Sequence, residues 1–238
     1  MSDALQLAIA EVEDYLRRYP SGRFSELAQL RLDQLLAQRG EKRVEVVSAA
    51  ANPFSKGTVR ADLSYRVGDR YEYGGIDLLT KIPGPRRVLK VTSVTDTQVV
   101  FNDGKLITDL LGNLIRRPDG ATFGPNQFYA TEYALGKKWN TRYSIVLANG
   151  TPDTVDLDLK VVARESITVP AGTFDTFRVE ATGWRLGLGG VPPQSITNTY
   201  WVAPDKVARV VAIETWWRLR NRITRADRDE LAAFAQKP

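Results

Sequence analysis

The sequence predicts a mainly β protein of the α+β class: a curled antiparallel sheet or open β-barrel or sandwich, with an N-terminal helical hairpin and a C-terminal helix. Three observations carry this expectation. Apolar residues recur at steps of three and four through the first forty positions, the period of one helix face. From Val59 onward the period becomes two, as in a strand with one buried side. Turn signals then return between β-prone runs at Asn102-Asp103-Gly104, Pro118-Asp119-Gly120, Asn149-Gly150 and Pro170-Ala171-Gly172, close enough together that the strands they join are mostly antiparallel. The chain is therefore divided into a hairpin over 1–39, a linker over 40–57, a β-domain over 58–222 and a C-terminal helix over 223–238.

In the hairpin, Leu5, Ile9, Val12, Leu16 and Tyr19 share one face, and Pro20, Ser21 and Gly22 break the first helix. A second run places Phe24, Leu27, Ala28, Leu32 and Leu35 together and stops near Gly40. Helices this short need another surface to cover their apolar faces. Residues 40–57 lose the helical period and carry Ala, Ser, Asn, Pro and Gly, which suits a linker. After it Val59, Ala61, Leu63 and Tyr65 alternate with Arg60, Asp62, Ser64 and Arg66, the pattern of a half-buried strand.

A faint internal repeat follows. Tyr65-Arg66-Val67-Gly68-Asp69-Arg70-Tyr71 aligns with Tyr133-Ala134-Leu135-Gly136-Lys137-Lys138-Trp139, and each leads toward a similar strand, VLKVTSV or LKVVARE. The alternative is that Tyr-x-x-Gly-x-x-aromatic is simply a common way to open a strand. Pro170 and Gly172 suit a type I turn flanked by Ile167, Val169, Phe177 and Val179, so this motif is read as a structural hairpin and not as a site. At the far end, a capping-box pattern from Thr224 to Asp227 precedes Leu231, Phe234 and Ala235, which predicts a helix over about 225–236.

Composition excludes several chemistries. The 238 residues contain no histidine and no cysteine, which removes the usual zinc ligand sets, Ser-His-Asp triads, Cys-His pairs and thiol redox chemistry. Carboxylate pairs survive the cut, but none has a local signature, so no catalytic residue, metal ligand or cofactor is assigned. Hydrophobic residues at 43% and charged residues at 26% are those of an ordinary globular chain, and no apolar run approaches the ~20 residues a membrane helix needs. The net charge of +5 and pI near 9.4 bring anionic partners into view. No helix-turn-helix, RNP, zinc or P-loop pattern accompanies them, so sequence-specific nucleic-acid binding is not expected. The stretch Leu186-Gly187-Leu188-Gly189-Gly190-Val191 follows a strand without leading into a helix, which favours a loop over a dinucleotide site. The opening residues MSDALQLAIAEVEDYL place acids where a secretory signal needs a basic region, so export would depend on a segment outside this chain.

Two stretches carry resemblances. YLRRYPSGRFSELAQLRLDQL, residues 15–35, resembles helical segments beside caspase-like or other effector domains of large bacterial proteins, and also the tetratricopeptide-type repeats of envelope assembly proteins. The resemblance implies a docking or tethering hairpin within a larger polypeptide or assembly; the caspase-type His and Cys are missing, so no protease activity carries over. The second rests on Val169-Pro170-Ala171-Gly172-Thr173-Phe174-Asp175-Thr176-Phe177, on Tyr200-Trp201-Val202-Ala203-Pro204-Asp205 and on a closing strand over 207–214. It is similar to a set of uncharacterised β-rich domains of bacterial exported and envelope-associated proteins and spans about 58–220. It implies a curled antiparallel sheet or open barrel without catalytic residues, in the periplasm or cell envelope, with the cytoplasm as the alternative. Where that pattern has a glycine after Pro-Asp, this chain has Lys206-Val207-Ala208.

The candidate binding residues come from ETWWRLRNR, residues 214–222. Neighbours in a strand face opposite ways, so Trp217 falls with Val207, Arg209, Val211, Ile213, Thr215 and Leu219 on the apolar side. Trp216 falls with Glu214, Arg218, Arg220 and Arg222. One reading makes Trp216, Arg218 and Arg220 a stacking and anion-pairing face, joined by Trp184 and Trp201; the other buries Trp216 beneath the C-terminal helix. The function expected is a non-enzymatic binding or scaffold module holding a protein partner or an apolar or amphipathic small ligand. The alternative is a carbohydrate-directed binder or hydrolase using Glu165, Glu180 or Glu214 beside Trp184, Trp201 or Trp216.

Overall fold

The computed structural model of the chain describes residues 3–18, 27, 28, 31, 32, 34, 35, 57–187 and 192–237. It divides into two compact units, Met1–Thr58 and Val59–Pro238. In the first, α1 (Asp3–Arg18) buries Ile9 and half-buries Leu5 and Val12, while Leu7 and Glu11 face solvent. Leu27, Ala28, Arg31, Leu32, Gln34 and Leu35 are also helical. The break at residues 20–22, the rest of the second helical run and nearly all of the expected linker lie outside the described residues.

The second unit begins with β1 (Val59–Arg60), β2 (Arg70–Asp77), β3 (Arg87–Val94), β4 (Gln98–Phe101), β5 (Leu106–Asp109), β6 (Leu114–Arg116) and β7 (Thr122–Phe123). It continues with β8 (Glu132–Tyr133), β9 (Lys138–Val146), β10 (Pro152–Val169), β11 (Gly172–Arg185), β12 (Gln194–Val202), β13 (Ala212–Leu219) and β14 (Arg222–Ala235). Among the described residues, twelve of these close a barrel in the order β10-β11-β12-β13-β14-β2-β3-β4-β5-β6-β7-β9, while β1 and β8 pair separately. The antiparallel β-class expected from the sequence is present, and the sheet is closed, which removes the two edges an open sheet would expose.

Alternation supplies the core. Val155, Leu157, Leu159 and Val161 of β10 stand opposite Arg185, Gly183, Ala181 and Val179 of β11, and the same inward face continues through Ile196 and Tyr200 of β12. Leu157, Leu159, Val161, Val179 and Tyr200, with Tyr71, Phe101 and Leu231, are among the largest fully buried side chains. These side chains occupy the interior along β10, β11 and β12. The four turn signals join β4 to β5, β6 to β7, β9 to β10 and β10 to β11. At the first, Asn102, Asp103 and Gly104 all take positive φ, the left-handed conformation that Asn, Asp and Gly tolerate best.

The repeat is real in its hydrogen bonding. Gly68 N–H donates to Val91 O and Val91 N–H returns to Asp69 O, both at 2.8 Å; Gly136 N–H donates to Val161 O and Val161 N–H to Lys137 O, both at 2.9 Å. Both glycines have positive φ, and a bulge follows Val91 in β3 and Val161 in β10. Tyr-x-x-Gly therefore serves twice as the same strand-opening turn.

Two expectations are corrected. The alternation over 59–66 forms a strand only at Val59 and Arg60; beyond them Ala61 N–H bonds to Thr131 O and Asp62 N–H to Pro204 O, and a tight turn is closed by Tyr65 N–H on Leu63 O. The C-terminal helix over 223–238 is the strand β14, paired with β13 on one side and β2 on the other. Its local pattern fits a helix because register shifts opposite Trp217/Arg218 and at Leu231/Ala233 interrupt the period of two. Two flanking ladders outweigh that local preference, since without β14 both β13 and β2 would be open edges.

Candidate functional site

Strand register brings three of the sequence-derived residues to one outer face. Trp184, Ser195 and Arg218 lie directly opposite one another across β11, β12 and β13, and Thr182, Thr197 and Trp216 form the next outward row. Trp184 is 52% exposed; Trp216 is half-buried, with the Arg218 guanidinium 5.9 Å from its ring centroid. Two strand spacings and two residue rises put the Cα atoms of Trp184 and Trp216 about 12 Å apart. Ser195 and Thr197 floor the space between them. The face combines two aromatic planes, one guanidinium and a strip of hydroxyls, a set that anchors protein or sugar surfaces.

Trp201 and Arg220 do not join it. Trp201 shares the outward side of β12 but is only 8% exposed, its Nε1–H donating to Glu165 Oε1 at 2.8 Å and the Arg228 guanidinium lying 5.1 Å from its ring. Arg220 leaves the strand in the β13–β14 turn with φ of 54°. The expected cover over Trp216 is also different in kind: no C-terminal helix lies on it, and its neighbour in β14 is the small residue Ala226.

The carboxylates of the hydrolase reading are held by arginines on this outer side. Arg178 lies 3.3 Å from Glu165 and 3.5 Å from Glu180, and Arg228 binds Glu214 at 2.7 Å and Glu230 at 2.6 Å. Hydrogen bonds and charge from Glu214 and Glu230 outweigh the burial of Arg228 and raise its pKa above the usual guanidinium value.

Trp217 faces inward as alternation requires, yet it is half-buried rather than core. Its ring sits between Arg185 and Arg225, at 5.4 and 5.1 Å. Arg185 pairs with buried Asp153, and Arg225 with Asp227. The inward face is therefore apolar along most of β10 and β11 and charged around Trp217. Sequence reading missed this because Asp153, Arg185, Arg225 and Asp227 sit on three strands, β10, β11 and β14, that only the closed register gathers.

Tyrosines line the opposite part of the interior. Tyr65, Tyr73 and Tyr200 donate to Ala208 O, Val210 O and Phe128 O at 2.6, 2.8 and 2.7 Å. Burial pushes the Tyr65 hydroxyl up to about 12 and raises Tyr71, Tyr73, Tyr129 and Tyr200 as well. A raised folded pKa favours the protonated phenol, so this stabilisation is complete below the unfolded value of about 10 and is lost as pH climbs through the folded value. Alkaline titration is expected to unfold the barrel cooperatively above pH ~10, with tyrosinate absorbance rising together with loss of β circular dichroism. Smooth tyrosine ionisation near pH ~10 in a barrel that stays folded would contradict the burial described.

No protein-family profile and no curated protein matches the chain. Solved structures resemble it in fold. A protein from Bacteroides fragilis NCTC 9343, provisionally named as exported and described as having a YmcC-like fold, aligns with a TM-score of 0.50 at 10% identity, covering 75% of this chain and 100% of that one. The barrel has a YmcC-like fold. A provisionally named lipoprotein from Parabacteroides distasonis ATCC 8503 aligns at 0.47 with 15% identity, over 74% of this chain and 100% of its own. The hypothetical lipoprotein YmcC of Escherichia coli K12 aligns at 0.40 with 13% identity, over 87% and 95%. Among the described residues no helix is long and apolar enough to cross a membrane.

Proposed function

We propose that the chain is a non-catalytic binding module of the bacterial cell envelope that engages a protein partner through the outer face of β11–β13. The observation that carries this reading is exposed Trp184 and half-buried Trp216 with Arg218 on one sheet face, since tryptophan and arginine dominate the energetics of protein interfaces. The large buried side chains of β10, β11 and β12 favour this face over the lumen as the place of binding. Arginine pairing of Glu165, Glu180 and Glu214 favours binding over hydrolysis. Envelope placement rests on the fold shared with a protein provisionally named as exported.

The hydroxyl strip of Thr182, Ser195 and Thr197 between the indoles supports a second reading, in which the same face holds a glycan. A photo-reactive amino acid replacing Trp184 in living cells separates the two. A protease-sensitive adduct at position 184, absent when the probe replaces exposed Lys160 on β10, is the expected outcome. An adduct removed by glycosidases would favour the glycan, and equal labelling at both positions would remove the face from consideration.

A further inference from the structure

The segment 203–211, which joins β12 to β13, turns Val207, Val210 and Arg209 toward the tyrosine-lined part of the interior. Arg209 continues the alternating pattern of its neighbours, so nothing local in the sequence marks it. Its guanidinium carbon lies 5.2 Å from the ring centroid of Phe101, a fully buried side chain. Its Nε and Nη1 atoms are buried and have no hydrogen-bond partner.

The groups around it leave the positive charge without a counter-ion. Tyr65 and Tyr73 favour the charged guanidinium, Tyr65 through a side-chain hydrogen bond to it, but both are phenols whose protons stay on the oxygen and are donated to Ala208 O and Val210 O, so neither supplies a negative charge. The Tyr71 hydroxyl, in ring contact with Tyr65, is likewise buried without a partner. Asp109 spends both carboxylate oxygens on the amides of Leu111 and Asn113 and on the Asn113 side chain, and Asp62 Oδ1 accepts from the amide and hydroxyl of Ser64. Among the described residues no carboxylate forms an ion pair with Arg209. Removing a cation from water costs several kcal/mol, and an anion beside it lowers that cost.

There is room for one. A cavity of about 20 Å³ adjoins Arg209, Gly112, Leu111, Tyr129 and Val207, and half-exposed Ala61 and Asp62 on its wall give it a way to solvent. Gly112 keeps the approach open: a Cβ there would stand 3.2 Å from Arg209 Nη1, and its φ of 93° disfavours any side chain. The volume suits a small species, the size of a water molecule or a halide ion.

We propose that this cavity is a binding site for one small inorganic anion of chloride size, held by Arg209 Nε and Nη1 and fixing segment 203–211 against the end of the barrel. Bromide substitutes for chloride and is visible by anomalous scattering, so crystals grown in sodium bromide test the placement. An anomalous peak within hydrogen-bonding reach of Arg209 Nη1 is expected in the native chain and absent in Arg209→Met. In solution, the native melting temperature is expected to rise with chloride or bromide relative to gluconate at equal ionic strength, and Arg209→Met to lose that difference. Should Arg209→Met fail to fold, Arg209→Lys, which keeps the charge but not the forked donors, is expected to show the peak displaced or weakened and the anion dependence reduced. Ordered water with no anomalous signal, or identical melting in chloride and gluconate, would overturn the proposal.

Discussion

Deleting residues 222–238 is expected to abolish the cooperatively folded barrel rather than trim it. β14 is hydrogen-bonded along both edges, to β13 and to β2, and places Leu231, which is fully buried, in the interior. Its loss leaves two open edges and a breached core, a cost comparable with the whole stability of a domain, ~5–15 kcal/mol. The truncated chain should show no cooperative melting transition and should aggregate. A helix lying on the outside of a sheet would behave differently, since its removal leaves every ladder intact. The point variant Leu231→Ala, expected to cost ~2–5 kcal/mol, reports the same burial without cutting the chain. A well-folded truncated protein with unchanged β circular dichroism would contradict the strand assignment.

The second large effect is expected at Gly183. It faces inward between Leu157 and Ile196, and a Cβ built on it would lie 2.0 Å from the carbonyl oxygen of Asp156. That neighbour is backbone within the β10–β11 ladder, so it cannot swing aside as a side-chain tip could. Gly183→Ala is therefore expected to destabilise by about 3 kcal/mol or more, at or beyond the upper end of ordinary overpacking, because relief requires moving a strand. Chemical denaturation gives the value directly. Ala at position 183 tolerated within ~0.5 kcal/mol would mean that β10 and β11 are not drawn together there as described.

These two positions show what can and cannot be read from the chain. The period of two through 154–161 and 177–181 is local information and gives β10 and β11 directly. So does the positive-φ chemistry of Asn102-Asp103-Gly104. The repeat was legible because Tyr-x-x-Gly fixes a local turn, and its bonding to Val91 and Val161 follows from that turn. β14 was not legible as a strand, because two extra residues shift its alternation and bring Leu231, Phe234 and Ala235 into helical spacing. What makes it a strand is the pair of vacant edges it fills, a property of β13 and β2 rather than of its own residues. Gly183 reads locally as a weak point in a strand, whereas its requirement comes from Asp156 across the ladder.

The candidate site divides along the same line. Alternation alone separates Trp216 from Trp217 and groups Trp216 with Arg218, and the register across β12 then adds Trp184 from β11. Trp201 was grouped with them by residue type, but its indole is covered by Glu165 and Arg228, contacts that span 36 positions in sequence in the first case. Arg209 illustrates the converse. Its neighbours suggest a strand, and only the closed barrel shows that its charged end lies among tyrosines.

The affinity of the partner captured at position 184 for the double variant Trp184→Ala/Trp216→Ala tests the central claim most directly. Each indole acting as an interface anchor contributes ~2 kcal/mol or more, so the pair together is expected to weaken binding by at least about 100-fold. Neither exposed Trp184 nor half-buried Trp216 belongs to the barrel interior, so the variant should keep the native β circular dichroism and cooperative melting. A folded double variant that binds with undiminished affinity would contradict the assignment of this face.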